Sequence, residues 1–296
     1  MIIKGLTITN ANGESLTFGD TFKLYEEIDL SGLSANVSTS EKSGDGASYQ
    51  NTTLETRDFE IPFFIHRLIS DKEWYEEKRR DVYRVCNPKK NPMRIDFTTK
   101  SNAEYYVNAE LVSSPSMPTD FEHSNNVWQK VLLQFDATDP YIYARNKTNV
   151  DLATWIPLFE FALEIPEGEG IEMGQRSPSL IANVVNDGQD DTGMLIKFKA
   201  TAALKNPSLI NVNTYEEFKI NIDMLPGDVI EVSTYRGNKY AKLTRNNITT
   251  SVFGKIDYLS TFLQLRTGDN LFRYDAAQGL DNMEISMQFN EKFLGV

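Results

Sequence analysis

The sequence is poor in the residue types from which most metal sites and many catalytic sites are built. Among 296 residues there are one cysteine, Cys86, and two histidines, His66 and His123. A single cysteine cannot form an intramolecular disulfide, whereas secreted proteins of this size more often carry paired cysteines. Neither histidine stands at the spacing of a zinc site. We therefore expect no metal, no cofactor and synthesis in a cytosol.

Long apolar runs and an excess of positive charge are also missing. No segment approaches the roughly 18 consecutive apolar residues of a membrane span, and the N-terminal residues do not resemble a signal peptide. There are 30 basic and 42 acidic residues, so the net charge is -12. Binding to nucleic acid or to anionic lipid needs a cationic surface. We expect no membrane association and no specific nucleic-acid binding.

The motifs of common enzymes are incomplete. The turn Gly44-Asp45-Gly46 is followed by a predicted strand, whereas a phosphate-binding loop needs Lys-Ser/Thr and a helix. A Gly-x-Ser-x-Gly elbow is absent. The acidic run 187–191 lacks the spacing of an EF-hand and is interpreted as a surface turn. Paired carboxylates could also serve a hydrolase, and this hypothesis stays open behind two others given below. We nevertheless expect that the protein is not an enzyme.

The residues that are abundant favour β structure. The 17 phenylalanines and 13 tyrosines suit pleated, half-buried surfaces. In the first half, Asn10–Gly13 predicts a hairpin turn, and the polar stretch from Leu30 to Tyr49 predicts an exposed loop. Apolar residues alternate from Phe59 to Ile65, which predicts a strand, and Pro62 indicates an edge position.

A single helix is predicted over residues 70–86. Ser70 and Glu73 fit a capping box, and Pro88 is expected to end the helix. Trp74 and Tyr75 share an apolar face, which we interpret as packing against a sheet rather than as a platform for a ligand.

The second half predicts a series of strands at the spacing of a β-sandwich. These strands are FEFALEI, SLIANVV, MLIKFKA, EEFKINI, DVIEVST, KYAKLTR and TFLQLR, and Gly237-Asn238 predicts a tight hairpin turn. The clearest strand is the last one, where Met283, Ile285, Met287 and Phe289 face one way. We place the domains at 1–147 and 148–296, with a linker near Asn146, and we assign the final strand, 283–296, to the sandwich.

Several stretches together resemble a known family. They are GDGASYQNTTLETRDFEIPFFI (residues 44–65), YRVCNPKKNPMRIDF (83–97), VLLQFDATDPYIYA (131–144), TFLQLRTGDNLFRYDA (261–276) and NEKFLGV (290–296). In this order and spacing the sequence is similar to the distal tail proteins (Dit) of siphophages and prophages. No single stretch is as specific as a metal motif, but together they extend over nearly the whole chain.

The resemblance implies a mainly β fold. It has an N-terminal β-sandwich or split-barrel domain with one helix and a C-terminal galectin-like β-sandwich. Such proteins form a hexameric ring, the hub of the tail tip or baseplate, through which DNA passes. The ring joins the major tail protein of the tube to the tail-associated lysin or fibre protein and to the receptor-binding apparatus. The implied location is the virion tail tip, after synthesis in the bacterial cytoplasm, and neither catalysis nor a cofactor is implied.

The resemblance points to candidate ring-interface residues in the first domain. They are Gly44, Asp45, Gly46, Tyr49, Thr52 and Arg57. An acidic channel would repel DNA, so Glu14 or Asp20 is expected to line it. The alternative function is a carbohydrate-binding module that contacts a cell-wall saccharide. Because Trp155 lies near the domain entry, we interpret it as a packing residue rather than as a sugar platform.

Overall fold

The computed structural model describes residues 3–66, 74–125, 127–152, 155–157, 174–176 and 180–296. The predicted mainly β fold is confirmed, and the described residues contain one α-helix, α1 (Trp74–Val85). The first ten strands are β1 (Ile3–Thr9), β2 (Ser15–Thr17), β3 (Phe22–Leu24), β4 (Ala35–Glu41), β5 (Ala47–Leu54), β6 (Arg57–His66), β7 (Met93–Thr99), β8 (Glu104–Leu111), β9 (Trp128–Ala137) and β10 (Ile142–Ala144).

The first unit is built around a nearly closed, barrel-like sheet with the strand order β2-β1-β7-β8-β9-β6-β3. Alternate residues of its strands point inward, and the aromatic rings of Phe18, Phe22 and Phe63 meet in its core. The helix adds Val82 and Val85 to the same core. Its end agrees with the prediction, whereas Ser70 and Glu73 and the side chains of Trp74 and Tyr75 lie outside what the structure describes.

The expected edge position of Pro62 is wrong, because β6 lies between β3 and β9. The carbonyl of Pro62 accepts the Tyr25 N–H at 3.5 Å, so the proline nitrogen also faces the β3 side. The ladder between β3 and β6 ends at the pair Leu24–Phe63. The missing N–H of proline therefore falls just beyond that ladder and leaves no gap in it.

The expected loop over Leu30–Tyr49 is also wrong in part. Its central residues form β4 and the start of β5, which pair as an antiparallel hairpin. The predicted turn at Asn10–Gly13 is confirmed: it joins β1 to β2, and the Gly13 N–H donates to the Asn10 carbonyl at 2.9 Å.

The second unit contains two larger sheets around one hydrophobic core. Its strands are β11 (Thr148–Asp151), β12 (Trp155–Pro157), β13 (Gly174–Arg176), β14 (Ile181–Asn186), β15 (Leu195–Ala200), β16 (Leu204–Asn211), β17 (Glu216–Lys219), β18 (Asp223–Met224), β19 (Val229–Ser233), β20 (Tyr240–Arg245), β21 (Ile248–Ser251), β22 (Gly268–Gln278) and β23 (Met283–Phe289). The strand orders are β11-β23-β15-β19-β20-β21 and β14-β22-β16-β17, and β12 pairs with β13 apart from them.

The predicted strand at TFLQLR does not form. Leu263 and Leu265 are fully buried, but the segment makes only an isolated bridge, between Leu265 and Thr192. The alternation of apolar residues in this segment therefore reflects burial of the two leucines, and no neighbouring strand among the described residues completes a ladder with it. The predicted strand FEFALEI lies outside the described residues, and so does the side chain of Trp155.

The chain divides between Asn146 and Lys147, and its last four residues return to the first unit. The clear strand β23 lies in the sandwich, as expected, but Phe293–Val296 group with residues 1–146. The ring of Phe293 packs edge-on against Tyr105, with 5.4 Å between the ring centres. A short strand, β24 (Lys292–Phe293), pairs with β10.

Candidate assembly surface

The hairpin β4–β5 has no buried residue. Its strands pair with each other and with no further strand in the described part of the chain. A two-stranded hairpin without a packed face is only marginally stable in water, and both its edges are open to further pairing. This geometry is typical of an arm that becomes ordered against a partner.

The register gives the hairpin two unlike faces, since residues directly opposite each other share a face. Val37 lies opposite Thr52, and Thr39 lies opposite Tyr49. The other face carries small polar side chains, with Ser38 opposite Asn51. Val37 is 54% exposed and Tyr49 is 66% exposed. The hairpin therefore offers an unburied, partly apolar face on one side and a polar face on the other.

A β-bulge places Tyr49 on the apolar face. The register shifts between Ser38 and Thr39, so that Gln50 is an extra residue in β5. Without this extra residue, Tyr49 would point to the polar side, because side chains alternate along a strand. The Gln50 side chain instead donates to the Ser40 hydroxyl at 2.9 Å.

The structure brings together five of the six predicted interface residues. Gly44, Asp45 and Gly46 form the turn of the hairpin, and Tyr49 and Thr52 lie on its apolar face. Gly46 has a φ of 85°, in the left-handed region that glycine adopts without strain. Arg57 is set apart, because it lies beyond the hairpin at the start of β6 and is 2% exposed.

The Arg57 side chain binds three backbone carbonyls inside the first unit. Its Nε donates to Pro140 at 2.8 Å, and one Nη donates to Leu294 at 2.7 Å. The other Nη donates to Leu30, which precedes the hairpin. Burial lowers the pKa of Arg57, but a guanidinium stays charged in proteins. In this chain Arg57 therefore fixes the base of the hairpin and presents no surface of its own.

Glu14, one of the two residues expected to line a channel, is held by cations. Its carboxylate accepts a hydrogen bond from Lys90 and another from Asn10 at 2.9 Å, and Arg84 lies 4.0 Å away. Hydrogen bonds from Lys90 and then Asn10 lower the pKa of Glu14. The paired charge would contribute little to a repulsive potential. Asp20 lies exposed in the turn before β3.

The side chains that commonly bind metal ions are scattered over the described residues. No group of three or more His, Cys, Asp or Glu residues that could hold a metal ion occurs among them, and Cys86 is buried, which raises the pKa of its thiol to about 12. The acidic turn 187–191 is fixed by a hydrogen bond at its start, in which the Asn186 side-chain oxygen accepts the Gly188 N–H at 3.1 Å. No helix in the described ranges has the length and apolarity to cross a membrane.

Comparison with known domain families gives two matches in chain order. Residues 11–137 match the phage tail protein RIFT-related domain. Residues 187–293 match the siphovirus-type tail component, C-terminal domain. The chain belongs to the distal tail protein family of siphophages. No curated protein sequence matches it.

Solved structures agree with the fold of the distal tail proteins. The Dit protein of phage SPP1, described as a paradigm of the hub adsorption apparatus in phages that infect Gram-positive bacteria, has a TM-score of 0.62 and 13% identity, over 97% of this chain and 99% of that one. A chain of the phage P2 baseplate, activated with Ca, has a TM-score of 0.55 and 9% identity, over 100% of both chains. A second baseplate structure, with Sr, has a TM-score of 0.53 and 11% identity, over 99% of both. These chains come from a phage hub adsorption apparatus and from phage baseplates.

Proposed function

We propose that this chain is the hub of a siphophage tail tip. Six copies form a ring that joins the major tail protein of the tube to the tail-associated lysin or fibre protein and to the receptor-binding apparatus. DNA passes through the ring, and the protein is made in the bacterial cytoplasm before it joins the virion. Family membership and the fold shared with hub and baseplate proteins support this function.

The observation that carries the proposed ring is the exposed hairpin β4–β5. A ring needs contacts between different surfaces of neighbouring copies, repeated by rotation until they close. The hairpin supplies open strand edges and a partly apolar face that has no partner among the described residues of its own chain. Covering Val37 and Tyr49 by a neighbour would remove apolar area from water, which favours association.

The experiment introduces the same charge on the two faces of the hairpin. Light scattering across concentrations should give six chains for the wild type. Val37→Asp should prevent the hexamer, because it places a charge on the apolar face. Ser38→Asp, the adjacent residue on the polar face, should keep it. If both variants remain hexameric, the hairpin does not make the ring contact; a wild type that is monomeric at every concentration counts against the ring itself.

A second candidate function, binding of a cell-wall saccharide, is favoured by an exposed tyrosine in the sandwich. Tyr258 is 90% exposed. The turn that carries it is fixed, because Asp257 accepts hydrogen bonds from Asn221 at 2.9 Å and from the Leu259 N–H at 3.0 Å. A held aromatic ring beside polar groups can stack on a sugar face.

Binding to purified wall polysaccharide tests this candidate. Tyr258→Ala should lose the binding, and Tyr215→Ala should keep it, because Tyr215 is a comparably exposed tyrosine, at 87%, on a different turn. No binding by the wild type would exclude the second candidate and leave the hub unaffected.

A further inference from the structure

The barrel-like sheet of the first unit is incomplete at a seam beside β1. The strand β2 pairs with Thr7–Thr9 only, and β3 is the last strand at the other end of the sheet. Between them, next to Ile3–Leu6, lies a cleft of about 260 Å³, which we call the seam cleft. Its apolar lining comes from Ile3, Leu6, Phe18, Phe22 and Leu24.

The seam cleft has the size and surface to hold one aromatic ring. An apolar cavity of roughly 150 Å³ is already large enough to bind benzene. Two lysines, Lys4 and Lys23, also line the cleft, and both are exposed. Lys4 donates to the neutral amide oxygen of Asn102 at 2.8 Å, and no carboxylate among the described residues pairs with either lysine. The cleft is therefore apolar inside and positively charged at its rim.

Phe121, in the same unit, has complementary properties. Its side chain is 95% exposed, the highest value among the large apolar residues that the structure describes. Asp120 and Glu122 flank it, and the Asp120 carboxylate also contacts the ring of His123. An exposed phenylalanine between acidic residues is an apolar projection with a negatively charged rim.

The turn that carries Phe121 is fixed by its own hydrogen bonds. The Asp120 carbonyl accepts the Ser124 N–H at 2.9 Å, and the Asp120 carboxylate accepts the His123 N–H at 3.0 Å. On the other side, the Lys130 N–H donates to the His123 carbonyl at 2.8 Å. Little backbone order remains to be gained on binding, so the entropic cost of docking this turn is small.

We propose that Phe121 of one copy of this chain inserts into the seam cleft of a second copy, with Asp120 and Glu122 facing Lys4 and Lys23. Size and charge both favour a second copy as the occupant, since the same chain carries both the projecting Phe121 and a cleft that matches it in size and in charge. The two surfaces differ, so the contact is head-to-tail and can repeat around a closed ring. The proposal rests on the self-assembly proposed above and adds a contact distinct from the hairpin.

The first experiment mixes two single-cysteine variants under mild oxidation. Glu122→Cys should form a disulfide with Lys23→Cys on a second chain, and the mixed dimer is identified by mass. Lys89→Cys is the matched control, because it replaces an exposed lysine of the same unit outside the cleft. The native Cys86 is buried and should not react. Equal cross-linking of Lys23→Cys and Lys89→Cys, or preferential Glu122→Cys homodimers, would overturn the proposal.

The second experiment uses charge reversal and blocking of the cleft. Glu122→Lys and Lys23→Glu should each weaken self-association, and the two changes in one chain should restore it. Phe121→Ala should weaken self-association about tenfold or more, as expected for a buried aromatic anchor. Gly19→Leu should do the same by filling the cleft, since a Cβ at Gly19 meets no atom within 4 Å of its own chain. Failure of the double variant to recover would contradict the pairing of charges.

Mass and cross-linking are measured on the same samples, so the two proposals can fail separately. A hexamer without the Glu122→Cys to Lys23→Cys product overturns the contact at the cleft and leaves the ring. The product without a hexamer supports the contact and excludes the hexameric ring. If neither the cross-linked product nor an oligomer is found, both proposals are overturned.

Discussion

The hairpin β4–β5 and the strand pair β15–β23 are antiparallel ladders of similar length, but they are held together by different forces. In β15–β23, the inward residues Ile196, Phe198, Ile285 and Met287 are all 2% exposed or less. In the hairpin no residue is buried. Fully burying a large apolar side chain stabilises by roughly 1.5–3 kcal/mol, whereas a backbone hydrogen bond contributes only about 1 kcal/mol net.

This difference separates the parts of the chain that stabilise the fold from the part available to a partner. The apolar faces of the sandwich strands are buried against each other, so substitutions there should lower the free energy of unfolding. The apolar face of the hairpin is exposed, so substitutions there should weaken assembly.

Phe198→Ala should have the largest effect. Phe198 is fully buried in β15, opposite Ile230 of β19 and Ile285 of β23. Removing the ring should lower the free energy of unfolding by about 3–5 kcal/mol, because apolar burial is lost and a cavity remains. Urea denaturation measures the change. Phe198→Leu, which keeps most of the volume, should cost less than about 1.5 kcal/mol; equal losses for both variants would contradict the role assigned to the ring.

Arg57→Met should have the next largest effect. It removes a buried guanidinium and leaves the carbonyls of Leu30, Pro140 and Leu294 without that donor. We expect a loss of about 2–4 kcal/mol in urea denaturation. Arg57→Lys keeps the charge but cannot reproduce the planar set of donors, so it should recover only part of the loss. Wild-type stability of Arg57→Met would show that the base of the hairpin does not depend on this side chain.

Asp228→Asn should have a smaller effect that depends on pH. The Asp228 carboxylate accepts hydrogen bonds from Arg245 at 2.9 Å and from the Leu225 N–H at 2.8 Å. Hydrogen bonds from Arg245 are the main cause that lowers the pKa of Asp228 below 3.8 in the folded state. The unfolded state therefore binds the proton first, so the stabilisation is complete above the unfolded pKa and is lost as pH falls through the folded pKa.

The measurement is urea denaturation from pH 7 downward. At pH 7 Asp228→Asn should cost about 1–3 kcal/mol, and the difference from the wild type should shrink below about pH 4. Asp223→Asn is the control, because the side chain of Asp223 is 76% exposed; it should change stability by less than about 0.5 kcal/mol. A difference for Asp228→Asn that stays constant down to low pH would contradict the lowered pKa.

The strands that could be predicted from the sequence are those whose inward side chains are apolar. In β23 a strict alternation from Met283 to Phe289 predicts both the strand and its buried face. Over Leu30–Tyr49, which includes β4 and the start of β5, serine, asparagine and glycine predict a loop, and the extra residue Gln50 interrupts the period of two in β5. Only the backbone ladder defines that hairpin, and a ladder between polar strands has no strong signature in sequence.

The resemblance predicts which residues form the candidate surface, but it does not predict where the structure places each of them. The resemblance to distal tail proteins led to residues 44–57, and Gly44 to Thr52 do lie on the exposed hairpin. The prediction of Arg57 as an interface residue rests on that resemblance, and arginine is seldom fully buried. Its burial depends on the carbonyls of Pro140 and Leu294, which are distant in sequence. No local pattern around Arg57 contains that information.

The smallest expected change in stability comes from Val37→Ala in the hairpin, and its matched control is Val184→Ala in β14. Val37 is 54% exposed and Val184 is 1% exposed. The same two methyl groups are removed in both variants, so the difference between them reports burial alone. Val184→Ala should lower the free energy of unfolding by about 1.5–3 kcal/mol, and Val37→Ala should change it by less than about 0.5 kcal/mol. Under conditions where the wild type is monomeric, equal losses would mean that the Val37 face is already covered within its own chain, and it would then be unavailable to a neighbouring copy.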